Sequence, residues 1–118
     1  KSETLDLGIY IGGRLIGSMG FNSIKMKSRR AEIGYWIAEE YEGKGIMTDC
    51  VKALISYGFK ELNLHRIEIH CSTNNVKSVA IPEKLGFKLD GILRDGSFLY
   101  DHFENSRVYS MIEHELKV

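Results

Sequence analysis

The run Ala31-Glu32-Ile33-Gly34-Tyr35-Trp36-Ile37-Ala38-Glu39-Glu40-Tyr41-Glu42-Gly43-Lys44-Gly45-Ile46-Met47-Thr48 decides how this chain is built. Its first part, Ala31 to Ala38, is rich in β-branched and aromatic residues and predicts a strand. After Gly45 the period changes. Met47, Cys50, Val51, Leu54, Ile55, Gly58, Phe59 and Leu62 follow the spacing of a helix with one buried face. Between strand and helix, Gly43 and Gly45 allow a tight turn whose N–H groups point inward. The helix then opens on donors that no helical carbonyl satisfies, at the positive end of its dipole. With Lys44 adding a formal charge, the segment predicts a cradle for a phosphate or pyrophosphate. An ordinary Gly-rich strand-to-helix turn fits the same residues. The GxxxxGK[ST] pattern of a P-loop is absent, and so is the third glycine of a dinucleotide fingerprint.

Toward the N-terminus, Leu7–Ile11 and Arg14–Phe21 flank Gly12-Gly13, a strong signal for a tight hairpin. Ser23 to Arg30 is polar and basic and reads as a second, longer turn, so residues 7–38 form an antiparallel meander. Toward the C-terminus, Asn63 stops the helix and Arg66–Cys71 alternates as a strand. Asn74-Asn75 then caps a short helix, Val76–Leu85, which ends at Gly86 and is kinked or in its last turn at Pro82. Phe87–Leu93 and Arg107–Glu113 read as closing strands joined by a long loop, Arg94–Ser106. The order β-β-β-α-β-α-β-β predicts an α+β domain, a mixed sheet with helices on its faces. Its strand–helix–strand unit at 31–71 should be a right-handed parallel crossover.

The 118 residues suffice for one domain, taken as residues 1–118, with no internal repeat or linker. Sixteen Lys and Arg balance sixteen Asp and Glu. A neutral chain lacks the basic excess of a dedicated nucleic-acid or membrane-surface binder. Cys50 and Cys71 sit in apolar runs without metal-ligand spacing, and read as small buried hydrophobes in a reducing, cytoplasmic setting. His65, His70, His102 and His114 are scattered, so no metal is expected. The chain opens at Lys1 on β-prone residues without a methionine, which suggests a piece of something longer.

A second cluster sharpens the reading. Asn75-Val76-Lys77-Ser78 follows the strand expected to lie beside residues 31–38. Both it and the Gly-x-Gly turn therefore fall at the carboxyl ends of adjacent parallel strands, where open α/β sheets bind ligands. With EIGYWI (32–37), GKGIMT (43–48), NNVKSVAIPEKLGF (74–87) and LYDHFENSRVYSM (99–111), the chain resembles the GNAT superfamily of acetyl-CoA-dependent N-acetyltransferases over nearly its whole length. It is most similar to the ribosomal-protein, RimJ/RimL-type branch. The resemblance implies the acyl-CoA N-acyltransferase fold without its first strand and one or two helices, a part that usually contributes to the acceptor site.

What the resemblance implies is specific. Backbone N–H groups of Gly43, Lys44, Gly45, Ile46, Met47 and Thr48 would hold the CoA pyrophosphate. Glu42 and Met47 depart from the family's Gln/Arg-x-x-Gly-x-Gly/Ala pattern, but backbone donors do not depend on side chains. The pantetheine arm would pair with Trp36, Ile37 and Ala38, one N–H there polarising the thioester carbonyl. Asn75 matches a pantetheine contact, and Ser78 matches the position near the sulfur. The catalytic candidates are thus Glu32 and Ser78. Glu32 matches a catalytic glutamate of histone-acetylating relatives and would act through a water, with Glu68, His70, Asp101 or His102 in reach. Pro82 replaces the tyrosine that often protonates the leaving thiolate, and Ser97 stands where this branch has a glutamate. Catalysis by positioning alone, with bulk water taking the proton, is the alternative.

The activity so implied is acetyl transfer from acetyl-CoA to a primary amine, the N-terminus of a (ribosomal) protein, by direct attack through a tetrahedral intermediate. A small-molecule amine, a non-catalytic CoA-binding module and a structural domain with a vestigial pocket are competing readings. Relatives of this branch often form homodimers, and an exposed strand edge favours such pairing. More ordinary roles stand beside these: Glu32 paired with Arg30 or Arg66, and Tyr35, Trp36 and Phe87 in the core. The basic turn Lys25, Lys27, Arg29, Arg30 would be solvated or meet the adenosine 3′-phosphate.

Overall fold

The computed structural model describes residues 3–116; Lys1, Ser2, Lys117 and Val118, included in the single-domain expectation, lie outside them. The elements are β1 (Glu3–Ile11), β2 (Arg14–Lys25), β3 (Arg30–Ile37), α1 (Ile46–Lys60), β4 (Arg66–Ser72), α2 (Val76–Lys84), β5 (Lys88–Leu99) and β6 (His102–Ile112). They form one six-stranded sheet in the order β1-β2-β3-β4-β6-β5, with β3 and β4 parallel and the other neighbours antiparallel. The expected element order and the parallel crossover are both present.

Period-two alternation sorts each strand's residues between two faces. On one, Phe21, Ile33, Ile67, Ile69, Tyr109 and Met111 are nearly inaccessible and pack with Met47, Val51, Leu54, Ile55 and Phe59 of α1 and Val79 of α2. Gly58 lies where α1 comes closest: a Cβ there would stand 2.8 Å from the Phe21 ring. The other face carries Glu32, Gly34 and Trp36 from β3 and Glu68 and His70 from β4.

Several boundaries differ from expectation. β1 begins at Glu3 rather than Leu7, paired with β2 as far as Ile24. β2 runs on to Lys25 past a bulge at Asn22, because Ile24 pairs with Ala31 and is buried; only residues 26–29 turn, with Arg29 at φ 55°. Residues 94–106 are not a loop. β5 and β6 continue through them to a two-residue turn at Tyr100-Asp101, with φ of 51° and 66°. Those are the positive values a tight hairpin demands, here without glycine. α1 ends at Lys60, and Asn63 follows it in the left-handed conformation at φ 56°. Gly12-Gly13 makes the expected hairpin, at φ 57° and 80°.

Candidate active site

The parallel pairing of β3 with β4 covers only Arg30–Ile33 against Arg66–Ile69. Both strands continue, but apart. The gap opens into a cleft of about 680 Å³, within the roughly 300–1,000 Å³ of small-molecule sites. β3 supplies Tyr35, Trp36 and Ile37, the turn and α1 supply Gly43, Gly45, Ile46, Met47 and Thr48, and α2 supplies Asn75, Ser78 and Ile81.

At one end the cleft meets the start of α1. Gly43 and Gly45 sit at φ 75° and 78°, where a side chain is strained, and a Cβ on either would enter open space. Gly45 caps the helix with no side-chain bond, and the first helical bond runs from Asp49 N–H to Gly45 O at 3.0 Å. The N–H groups of Ile46, Met47 and Thr48 therefore have no acceptor among the described residues. This end fits a pyrophosphate through main-chain donors.

The middle of the cleft is a strand edge. Ala38 N–H is committed to Ile16 O at 2.7 Å. Alternation then turns the N–H and C=O of Ile37 the other way, into the gap. Ala38 is thus no donor to the cleft, and Ile37 is.

Pro82 explains how the far wall is tied. Having no N–H, it leaves the Ser78 carbonyl, four residues back, outside the helical ladder. The Tyr35 hydroxyl donates to that carbonyl at 2.9 Å, and the Cys71 thiol lies 3.4 Å from it. Burial, reinforced by Cys71, holds the Tyr35 phenol far above its usual range, so it stays neutral. Pro82 thus lets Tyr35 anchor α2 across the gap. Asn75 is first a cap, its Oδ1 accepting from Ser78 N–H at 3.1 Å; its amide nitrogen remains for the cleft. The Ser78 hydroxyl has no hydrogen-bonded base among the described residues, so nothing activates it.

Other expected residues are placed differently. Lys44 is not in the cleft lining; its ammonium lies 5.8 Å over the Tyr41 ring. Lys77 and Lys84 line the cleft instead, Lys77 bound to Glu42 at 2.7 Å. The basic turn is at the opposite end of β3, a strand about 23 Å long at 3.3 Å per residue, with Arg29 bonded to Asn63 O and Glu113. It does not join this site. Trp36 is 57% exposed and lines the cleft, whereas Phe87 is core. Tyr100, in the stretch read as a loop, reaches the cleft from the β5–β6 turn. Lys77 was legible beside Asn75; Tyr100 had no local signal.

Glu32 lies outside this cleft, on the open sheet face, in a second cavity of about 240 Å³ shared with Glu68 and His70. It pairs with neither arginine. Arg66 binds Glu68 at 2.8 Å and Asp90 at 2.6 Å, while Glu32 faces His70 Nδ1 at 3.8 Å. His102 and Asp101 are in the β5–β6 hairpin, His102 bound to Glu104 at 2.6 Å. Ser97 pairs across that hairpin with Glu104. Gly34 leaves a trough between Glu32 and Trp36, into which Asn22 lays its carboxamide: a Cβ at 34 would collide with it.

The model of the acetyltransferase (GNAT) domain family matches residues 3–88. The "Putative ribosomal N-acetyltransferase YdaF" of Bacillus subtilis (strain 168) is 40% identical over 111 residues, 94% of this chain and 61% of its own length. The ribosomal-protein-serine acetyltransferase of Escherichia coli (strain K12) is 35% identical over 88% of this chain and 58% of its own. Spermidine N(1)-acetyltransferase of the same organism is 32% identical, covering 87% and 55%. Among solved structures, the ribosomal L7/L12 alpha-N-protein acetyltransferase RimL in complex with coenzyme A superposes with TM-score 0.87 at 27% identity, covering 92% of this chain and 62% of that one. The chain spans about three fifths of the length of these relatives.

Proposed function

This chain belongs to the GNAT acetyltransferase family, and from that premise we propose that it transfers acetyl from acetyl-CoA to a primary amine, the N-terminus of a protein. One observation carries the reading: the gap between β3 and β4 and the donor-rich start of α1 line a single cleft of about 680 Å³. In this reading Ile46, Met47 and Thr48 N–H bind the pyrophosphate, with Gly43 and Gly45 clearing its approach. Trp36 and Ile37 flank the pantetheine, and Ile37 N–H polarises the thioester carbonyl as it becomes tetrahedral. Asn75 and Ser78 bound the thioester end from α2. The amine reaches the carbonyl from the open face, and Glu32 draws its proton through water on that face.

The ribosomal-protein acetyltransferases among the relatives support a protein amine as acceptor. A small polyamine is the second reading, favoured by the carboxylates of Glu32 and Glu68 on the open face and by the spermidine acetyltransferase relative. Calorimetric titration with CoA and acetyl-CoA tests the cleft, and mass-spectrometric acetylation of a seryl peptide and of spermidine tests the acceptor. Saturable binding of both CoA forms with acetylation of the peptide is the expected result. Binding without acetylation of either amine would leave a CoA-binding module, and no binding would overturn the reading.

A further inference from the structure

If Glu32 takes the amine's proton, as the reading above has it, the open face also shows where that proton goes next. Register places Glu32 of β3 directly opposite Glu68 of β4. Two carboxylates abreast on one face repel unless a donor stands between them. The His70 ring does so. Its Nε2 is 2.8 Å from Glu68 Oε1, and its Nδ1 is 3.8 Å from Glu32 Oε2.

Glu68 is fixed as a carboxylate. Burial pushes its carboxyl up, but hydrogen bonds from Arg66 and His70 more than reverse this and hold it below the usual range. Arg66 is itself anchored by Asp90. A carboxylate at Nε2 selects the Nε2–H tautomer of a neutral ring and leaves Nδ1, on the side of Glu32, as the nitrogen that can take a further proton. From the neighbouring strands, Lys25 and Arg30 bring positive charge to the same cavity, and Ser110 of β6 stands opposite Glu68 without charge.

We propose that His70 is a positioning residue for amine deprotonation, oriented by Glu68 so that its Nδ1 relieves Glu32 of the proton drawn from the attacking amine. The nitrogen lone pair forms the C–N bond, and the C–S bond breaks with its electrons on the CoA sulfur. The proton leaving nitrogen passes through water to Glu32 and, through a second water spanning the 3.8 Å gap, on to Nδ1, giving an imidazolium between two carboxylates that then releases it to solvent. The outer nitrogen of the ring plays the part that the inner one plays in a carboxylate–histidine pair.

The test compares the chain with its Glu32→Gln, His70→Gln and Glu68→Ala variants, using acetyl-CoA with a seryl peptide and with spermidine, alongside ¹⁵N spectra of the histidine rings. Glu32→Gln and His70→Gln should each lower kcat at least about tenfold, with KM for acetyl-CoA unchanged. The parent should show an unprotonated Nδ1 in its neutral ring, and Glu68→Ala a mixture of tautomers with a reduced kcat. A full rate in His70→Gln beside a slow Glu32→Gln would overturn this proposal alone. A full rate in Glu32→Gln would overturn both it and the base assignment. Should His70→Gln fail to fold, Glu68→Ala decides by its rate; should neither amine react, an Nδ1–H tautomer in the parent sinks the proposal.

Discussion

Along β3, Ala31 and Ile33 look into a dry core under α1, while Glu32 and Gly34, one residue over, look onto a face that bears carboxylates, an imidazole and a carboxamide. Neighbours in sequence thus serve different ends. The helix-covered face holds the domain together by apolar burial, and the open face keeps polar groups near the end of the cleft. Because alternation is strict, substitutions at adjacent positions should separate stability from chemistry.

The sharpest contrast is Phe21 against Asn22. Phe21→Ala should cost about 3–5 kcal/mol of unfolding free energy in urea, since the ring is inaccessible and packs on α1. Asn22→Ala, at an exposed residue of the open face, should change stability by no more than about 0.5 kcal/mol. Equal losses of stability in the two variants would break the division between faces.

Tyr35 tests the wall between them. Tyr35→Phe removes the principal donor to the Ser78 carbonyl and should cost about 1–3 kcal/mol. In a Pro82→Ala background the restored N–H can serve that carbonyl, so the same change should cost less. A double-mutant cycle by denaturation measures the difference, and zero coupling would refute the link between Pro82 and Tyr35.

At the cleft, Gly45→Val forces a branched side chain into the left-handed region, for about 1–2 kcal/mol of stability. It should also abolish calorimetric CoA binding, because the side chain enters the path to the α1 donors. Normal binding would mean that the pyrophosphate lies elsewhere. A smaller change follows from the Lys77–Glu42 pair: Glu42→Gln frees the ammonium for the ligand and should tighten CoA by about two- to fivefold, the scale of an exposed ion pair.

The smallest effect is one of pH. The Glu68 carboxyl is lowered in the folded state, so its contribution to stability is present above the ordinary carboxylate range and is lost as pH falls through the folded value. Melting temperature should accordingly fall less on acidification in Glu68→Gln than in the parent.

Most of the architecture was legible because it is local. The Gly12-Gly13 turn, the period change after Gly45 and the Asn75 cap each announce themselves within a few residues. The β5–β6 hairpin was not. Its bulge around Asp95 interrupts alternation, and its turn is built from Tyr100 and Asp101 rather than glycine. What holds it extended is pairing across the hairpin and to β4, which no window of sequence displays. The turn at Gly43 and Gly45 was readable because its positive φ values single out glycine. Lys44 misled because charge does not reveal direction. The His70–Glu68–Glu32 arrangement depends on which rung of β3 meets which rung of β4, a register set by the α1 crossover.

The divergence of β3 from β4 leaves the end of β3 without a strand partner on that side, and a main-chain proton there can report when the gap is filled. Ile37 and Ala38 are consecutive, yet only the second is held by a neighbouring strand. In the free chain the Ile37 amide should trade its proton for deuterium far faster than that of Ala38. A thioester arm bound along the edge would slow the first and leave the second unchanged, so an adjacent pair of amides would act as an occupancy gauge with its own internal standard.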